Sequence, residues 1–164
     1  MSWHGLSEFV VANWGNLASV VGVMVSVGTL AVATKARQAA EAAKAAARRQ
    51  SLTEVLQDSV RKNEQVGLFL SQRRWDIVWL RAQEIAGVTS TVLTRWPHEL
   101  SAGSKDNLLR SQRLSNSIAS VSLIASGEEP TPQAIARMSQ AQGRVALLLN
   151  TELGESLRDT EGRT

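Results

Sequence analysis

Two histidines are the residues of this chain that acid–base catalysis or metal binding would use first. His4 lies near the N-terminus, and His98 follows Trp96 and Pro97. The chain contains no cysteine, which excludes a thiolate nucleophile, a cysteine-ligated zinc and a disulfide framework. A serine–histidine–acid triad would need His98, for which a solvated loop position is the simpler interpretation. We predict no catalytic residue, no metal site, no cofactor and no enzymatic activity.

An arginine- and tryptophan-rich stretch, SQRRWDIVW, covers residues 71–79. Trp75 and Trp79 are one helical turn apart and therefore share a helix face, and Arg74 precedes the first of them. Tryptophan and arginine dominate binding hot spots. Two interpretations stay open: the tryptophans belong to a core, or Arg74, Trp75 and Trp79 form a patch that binds an unidentified cytoplasmic protein.

A long segment without charge lies near the N-terminus, from Phe9 to Thr34. Its densest part, residues 17–34, would extend about 27 Å as a helix at roughly 1.5 Å per residue. The hydrocarbon core of a bilayer is about 30 Å thick. Trp3 and Trp14 fall on nearly the same helix face, as expected of side chains at the headgroup level. We predict an interfacial segment over residues 1–16 and a transmembrane helix over residues 17–34.

Three other interpretations of the apolar segment were weighed. It is too long for a typical strand, and a helix in a soluble core is rarely apolar on every side for five turns. Residues 31–33, Ala-Val-Ala, resemble a signal-peptide cleavage site. However, no lysine or arginine precedes the apolar segment, whereas a signal peptide begins with positive charge. An uncleaved membrane helix fits the segment best.

The net charge of +3 is concentrated in one place. Residues 35–50 hold five basic residues and one acidic residue, whereas residues 51–164 are balanced at 13 of each. Basic residues are retained on the cytoplasmic side of a membrane, and anionic headgroups attract them. We predict a protein of the cell (inner) membrane, with its N-terminus outside and residues 35–164 in the cytoplasm, and no nucleic-acid partner. The predicted interface residues are Trp3, Trp14, Lys35, Arg37, Lys44, Arg48 and Arg49.

Small residues recur at spacings of three and four through the apolar segment. Helices in lipid associate where small side chains let their backbones approach closely. This pattern predicts a homo-oligomer whose self-association face consists of Gly15, Ala18, Gly22, Ser26, Thr29 and Ala33. Residues 35–50, KARQAAEAAKAAARRQ, are strong helix formers and continue the helix as a basic, alanine-rich juxtamembrane segment. Its alanines favour either a coiled-coil seam between copies or a lone solvated stalk.

The remaining sequence predicts an antiparallel bundle of three or four helices over residues 51–158, with frayed residues 159–164. Ser51–Glu54 reads as a capping box that starts a helix or lies within one. We expect a break or kink at residues 63–67 and a helix end at Trp96-Pro97. A further helix is expected over residues 104–126, and another from Pro132, capped by Thr131. The helix over residues 104–126 is expected to bury the side formed by Leu108, Leu114, Ile118, Val121 and Ile124.

The sequence thus predicts an all-α protein. A single N-terminal transmembrane helix continues into a long helix, and a cytoplasmic antiparallel helical bundle follows. The predicted function is a membrane-anchored interaction or assembly module whose partners are the lipid bilayer and further copies of itself. The alternative is an oligomeric pore-forming or membrane-disrupting effector of a bacterial defence or toxin type.

Overall fold

The described part of the chain consists of four α-helices joined by short connections. A computed structural model describes the backbone of residues 3–125 and 127–161, and the side chains of residue 19 and of residues 22–125 and 127–158. The four helices are α1 (Trp3–Ser71), α2 (Trp75–Arg95), α3 (Ala102–Ala125) and α4 (Pro132–Glu161). No strand occurs within the described residues. The all-α prediction is confirmed.

The chain divides into two compact units, Met1–Ala45 and Ala46–Thr164. The first unit consists of the N-terminal part of α1. Every side chain described in it, from residue 22 onward, is exposed. The predicted capping box at residues 51–54 lies inside α1 and does not start a helix.

Across the described residues, no helix combines the length and the apolarity that a bilayer crossing requires. The described residues therefore do not support the predicted transmembrane helix over residues 17–34. Apart from Ser19, the described apolar stretch extends only from Gly22 to Thr34, before Lys35. That is shorter than the roughly 20 residues a span needs. Residues 17, 18, 20 and 21 lie outside the described side chains.

The second unit is an antiparallel helical bundle, as predicted. Thr53 and Asn63 of α1 reach Ser156 and Gln142 of α4 respectively, so the two helices run in opposite directions. The same geometry holds between α3 and α4, because Asn107 Nδ2 donates to Glu152 Oε1 at 2.7 Å and Ser122 Oγ, later in α3, donates to Sδ of Met138, earlier in α4, at 3.5 Å. Lys62 Nζ of α1 lies 3.7 Å from Glu84 Oε2 of α2. Short connections between antiparallel neighbours are typical of this architecture.

Each helix of the bundle presents residues to the core at alternating spacings of three and four, the seam that left-handed helix packing requires. In α2 this seam carries mostly large side chains. It comprises Trp75, Val78, Ala82, Ile85, Thr89 and Val92, and Trp96 continues it directly after the helix; each is no more than 9% exposed.

The seam of α3 differs from the one that apolar residues alone predicted. Leu108 and Ile118 are buried as expected, but Ile124 is 72% exposed, so its predicted burial is wrong. Four serines occupy the intervening core positions: Ser104, Ser111, Ser115 and Ser122. Small side chains let neighbouring helices approach closely, and this spacing places Ile124 outside the seam.

The break predicted at residues 63–67 is also misplaced. Asn63 is buried inside α1, and its Nδ2 donates to the backbone oxygen of Gln142 at 3.3 Å. A β-carbon at Gly67 would lie 3.2 Å from Nε2 of Gln142, so this glycine allows close packing on α4. These residues weaken the helix locally, but their contacts with α4 retain it.

The actual break follows Ser71. Arg73 adopts a left-handed conformation with φ 57°. The backbone N–H of Arg74 donates to the carbonyl of Phe69 at 3.0 Å, and that of Arg73 to the carbonyl of Leu70 at 3.2 Å. This is the Schellman arrangement, in which glycine is the usual left-handed residue. Arginine takes that position here, so the turn has no glycine or proline to mark it.

Other helix ends agree with the sequence. The second helix ends at Arg95, directly before Trp96-Pro97. Thr131 Oγ1 accepts a hydrogen bond from the backbone N–H of Ala134 at 3.2 Å, and Pro132 is the first residue of α4. Ser101 plays the same capping role for α3 through the N–H of Ser104 at 3.0 Å. That helix begins two residues earlier than predicted.

Candidate assembly surface

The N-terminal unit displays large apolar side chains on several faces of α1. Six of them are between 61% and 71% exposed: Val23, Met24, Val25, Val27, Leu30 and Val32. At about 100° per residue they are distributed around most of the helix circumference. A surface helix of a globular protein confines such residues to one stripe, whereas a helix apolar all round is normally covered on all sides.

The predicted self-association face lies within this part of the helix. Gly22, Ser26, Thr29 and Ala33 share one face by their spacing, and all four are exposed. Gly15 and Ala18, the other two predicted members, lie outside the described side chains. A β-carbon at Gly22 would meet no atom within 4 Å, and the same holds for Gly28, which lies off this face, about 120° around the helix from Gly22. The absence of neighbouring atoms therefore does not by itself distinguish the predicted self-association face from the rest of the helix surface.

The hydroxyl groups of this segment are turned toward the helix backbone. Ser26 Oγ donates to the carbonyl of Gly22 at 2.8 Å, and Thr29 Oγ1 to that of Val25 at 2.7 Å. Thr34 Oγ1 donates to the carbonyl of Ala31 at 2.9 Å. Such bonds satisfy hydroxyl donors within the helix, so they need neither water nor a partner chain.

The predicted interface residues fall into several environments. Lys35 and Lys44 are exposed, whereas Arg37 Nε donates to Glu41 Oε1 at 3.0 Å. Arg48 and Arg49 belong to the second unit, where Arg49 is half-buried. Arg48 Nη1 lies 3.8 Å from Glu99 Oε1. Trp3 and Trp14 are outside the described side chains.

The three residues of the predicted partner patch differ in their exposure to solvent. Trp75 is a core residue at 9% exposure, and Trp79 packs partly buried against the core. Arg74 is exposed, and its Nε lies 3.4 Å from Asp76 Oδ1. The hydrogen bond from this guanidinium lowers the pKa of the Asp76 carboxyl below its ordinary value.

One buried carboxylate was not among the predicted site residues. Glu152 is 4% exposed and lies in the core seam of α4, after Val145 and Leu149 at the expected spacing. Its helical register was readable from the sequence, but a glutamate at such a position is ordinarily assumed to be solvated. No group of histidine, cysteine, aspartate or glutamate side chains in the described part of the chain could hold a metal ion.

Comparisons with known protein families, with curated protein sequences and with solved structures find no match to this chain.

Proposed function

We propose that this protein is a membrane-anchored interaction and assembly module. The N-terminal part of α1 lies in a lipid bilayer and associates with the same segment of other copies. The helical bundle is held at the cytoplasmic side of the cell membrane and acts without chemistry of its own.

The observation that carries the proposal is that the six large apolar residues from Val23 to Val32 are exposed on several faces of the helix. Exposed apolar surface is unfavourable in water at about 25 cal/mol per Å². A coiled-coil partner would cover one stripe of the helix and leave the rest in water. Lipid covers every side, which matches the distribution of these side chains.

The hydroxyl groups that donate to the backbone of their own helix also support a lipid environment for this segment. A polar group in hydrocarbon is costly unless it is hydrogen-bonded. The hydroxyls of Ser26, Thr29 and Thr34 each donate to a carbonyl of their own helix. The segment can therefore enter an apolar environment without an unsatisfied hydroxyl donor at these positions.

The extent of the span rests on the sequence. No charge occurs between Phe9 and Thr34, which includes residues whose side chains the structure does not describe. The basic residues that follow, beginning with Lys35, favour the inner side for that end of the helix.

Membrane insertion is tested by placing one arginine inside the apolar segment and one outside it. Val27→Arg puts a charge in the middle of the proposed span, at a cost of about 2.5–3.5 kcal/mol. Ala39→Arg is the control, because Ala39 is exposed in the same helix beyond Lys35. We expect wild type and Ala39→Arg to remain in carbonate-washed membranes, and Val27→Arg to be depleted from them. Wild type that stays in the supernatant without detergent, as a folded monomer, would refute the proposal.

Self-association is tested with a matched pair of glycine substitutions. Gly22 lies on the stripe of small residues and Gly28 lies outside it, about 120° around the helix, and neither has a neighbour within 4 Å of a β-carbon. Gly22→Leu is expected to reduce the mass of the detergent-solubilised assembly, whereas Gly28→Leu leaves it unchanged. Equal effects of both would exclude the stripe as the contact face.

The pore-forming alternative is distinguished with the same two variants. A pore would release dye from liposomes, and Gly22→Leu would abolish the release while Gly28→Leu preserved it. An anchor releases no dye, whatever its oligomeric state.

A further inference from the structure

A cavity of about 100 Å³ opens at the end of the bundle where α3 begins. Apolar walls come from Leu52 and Leu56 of α1 and from Leu100 of the connection before α3. Glu99, Glu152 and Glu155 also line it, together with serine hydroxyls. We call it the acidic cavity. It lies wholly within the second unit.

Glu152 is the unusual member. Its side chain occupies a core position at 4% exposure. Oε1 accepts one hydrogen bond, from the neutral amide of Asn107 at 2.7 Å. Oε2 has no hydrogen-bond partner among the described residues, and no described lysine or arginine forms an ion pair with Glu152. A buried carboxylate is ordinarily paired with a cation, because desolvation of the charge costs several kcal/mol.

Two neighbouring carboxylates, those of Glu99 and Glu155, add negative charge to the cavity. Glu155 Oε2 accepts a hydrogen bond from Ser104 Oγ at 3.2 Å, and that hydroxyl is in turn 2.9 Å from Ser101 Oγ. Glu99 has Arg48 at 3.8 Å, but the Arg48 side chain is 58% exposed and lies at the rim. Three carboxylates therefore face a cavity into which no described cation projects.

The kind of cation follows from the donor set and the walls. The described carboxylates do not form a group that could hold a metal ion. A guanidinium is planar, offers five N–H donors and is more weakly hydrated than an ammonium, so it loses less on burial. Carboxylate and hydroxyl oxygens accept such donors, and the leucine walls suit a short alkyl stem.

We propose that the acidic cavity binds an alkylguanidinium group, with Glu152 as its buried counter-charge. The guanidinium donates to the free Oε2 of Glu152 and to the carboxylate of Glu155, while its alkyl stem lies against Leu52 and Leu56. This proposal is independent of the membrane anchor.

Calorimetric titration of the full chain tests the site. The probes are agmatine, for a small-molecule source, and the peptide acetyl-Gly-Arg-Gly-amide, for an arginine side chain of a protein. We expect saturable binding of at least one probe, and the tighter one identifies the source. Glu152→Gln keeps the shape of the side chain and its bond with Asn107, and it should weaken binding at least about tenfold, because it removes a buried charge partner.

Two further variants separate binding from folding. Glu155→Gln, at the exposed side of the cavity, should weaken binding by a smaller factor without disturbing the core. Glu64→Gln, an exposed glutamate of α1 away from the cavity, should leave the affinity unchanged. Thermal melting of each variant shows whether it is folded.

Several outcomes would overturn the proposal. Absence of binding by both probes at millimolar concentration refutes it, and so does equal binding by wild type, Glu152→Gln and Glu155→Gln. If methylammonium binds as tightly as methylguanidinium, the assignment of a guanidinium is wrong.

Discussion

The two units of this chain treat polar and apolar side chains in opposite ways. In the N-terminal unit, valine, leucine and methionine side chains are exposed, and the hydroxyls of Ser26 and Thr29 are satisfied by the helix backbone. In the bundle, hydroxyls and an amide are buried, among them Ser59, Asn63 and Ser115. The bundle buries a core of its own, whereas the large apolar side chains described in the first unit are exposed.

Register explains why the bundle tolerates so polar a core. The cross-helix bonds place Ser59 of α1, Thr89 of α2 and Ser111 of α3 at about the same level, with Leu149 of α4. Thr89 Oγ1 donates to the carbonyl of Ile85 at 2.9 Å, and Ser59 Oγ to that of Val55 at 3.0 Å. Ser59 and Thr89 thus return their hydroxyl bonds to their own helix and occupy only a small volume, whereas Ser111 Oγ has no hydrogen-bond partner within the described residues.

The largest expected effect comes from truncating the same residue type in each unit. Leu149 is completely buried, so Leu149→Ala should lower the free energy of unfolding by about 2–5 kcal/mol. Leu30 is 66% exposed, so Leu30→Ala should change it by less than about 0.5 kcal/mol. Urea unfolding followed by the fluorescence of the buried tryptophans measures both. Equal losses would show that the contrast between the units is false.

The polar core provides the next prediction. Ser115 Oγ is buried and has no hydrogen-bond partner within the described residues. Ser122 Oγ donates to the carbonyl of Ile118 at 2.8 Å. We expect Ser115→Ala to stabilise the bundle by about 1 kcal/mol, because it removes an unsatisfied group, and Ser122→Ala to destabilise it by about as much. Thermal melts of the two variants, shifted in opposite directions, would confirm this. A loss of stability in both would mean that Ser115 has a water partner.

Sequence reasoning located the helix ends that have chemical markers. Trp96-Pro97 and Thr131-Pro132 were assigned correctly, because proline lacks an N–H and threonine caps the backbone. It missed the turn at residues 72–74, because an arginine occupies the left-handed position. It also placed a break at residues 63–67, where contacts with Gln142 override the local weakness.

The same limit applies to the core and to the candidate sites. Apolar periodicity identified Leu108 and Ile118 of α3, but burial of its serines depends on neighbouring helices that a single sequence does not display. The burial of Glu152 likewise depends on neighbouring helices and could not be predicted from its own sequence position. Val23–Val32 are exposed, but no described helix is long and apolar enough to cross a bilayer, so the membrane assignment of this segment stays a prediction.

Arg73 tests the turn that the sequence did not reveal. Its left-handed φ of 57° costs about 1 kcal/mol for a residue with a β-carbon. Arg73→Gly should stabilise the bundle by about that amount. Arg73→Ala is the control. It removes the exposed ion pair with Glu129 but keeps the β-carbon, so it should have little effect. A similar stability of the two variants would assign the effect to the lost ion pair and not to the backbone.

The smallest expected effect concerns Asp76, in the first turn of α2. Because a hydrogen bond from Arg74 lowers its pKa in the folded state, Asp76 binds its proton more weakly there than in the unfolded chain. Its contribution to stability is therefore present above the unfolded pKa and is lost as the pH falls through the folded pKa. Asp76→Asn should make the acid limb of the stability curve shallower. Arg74→Gln should move the carboxyl resonance of Asp76 to titrate at higher pH in an NMR titration. If that resonance titrates unchanged, the α2 helix terminus, and not Arg74, determines the charge of Asp76.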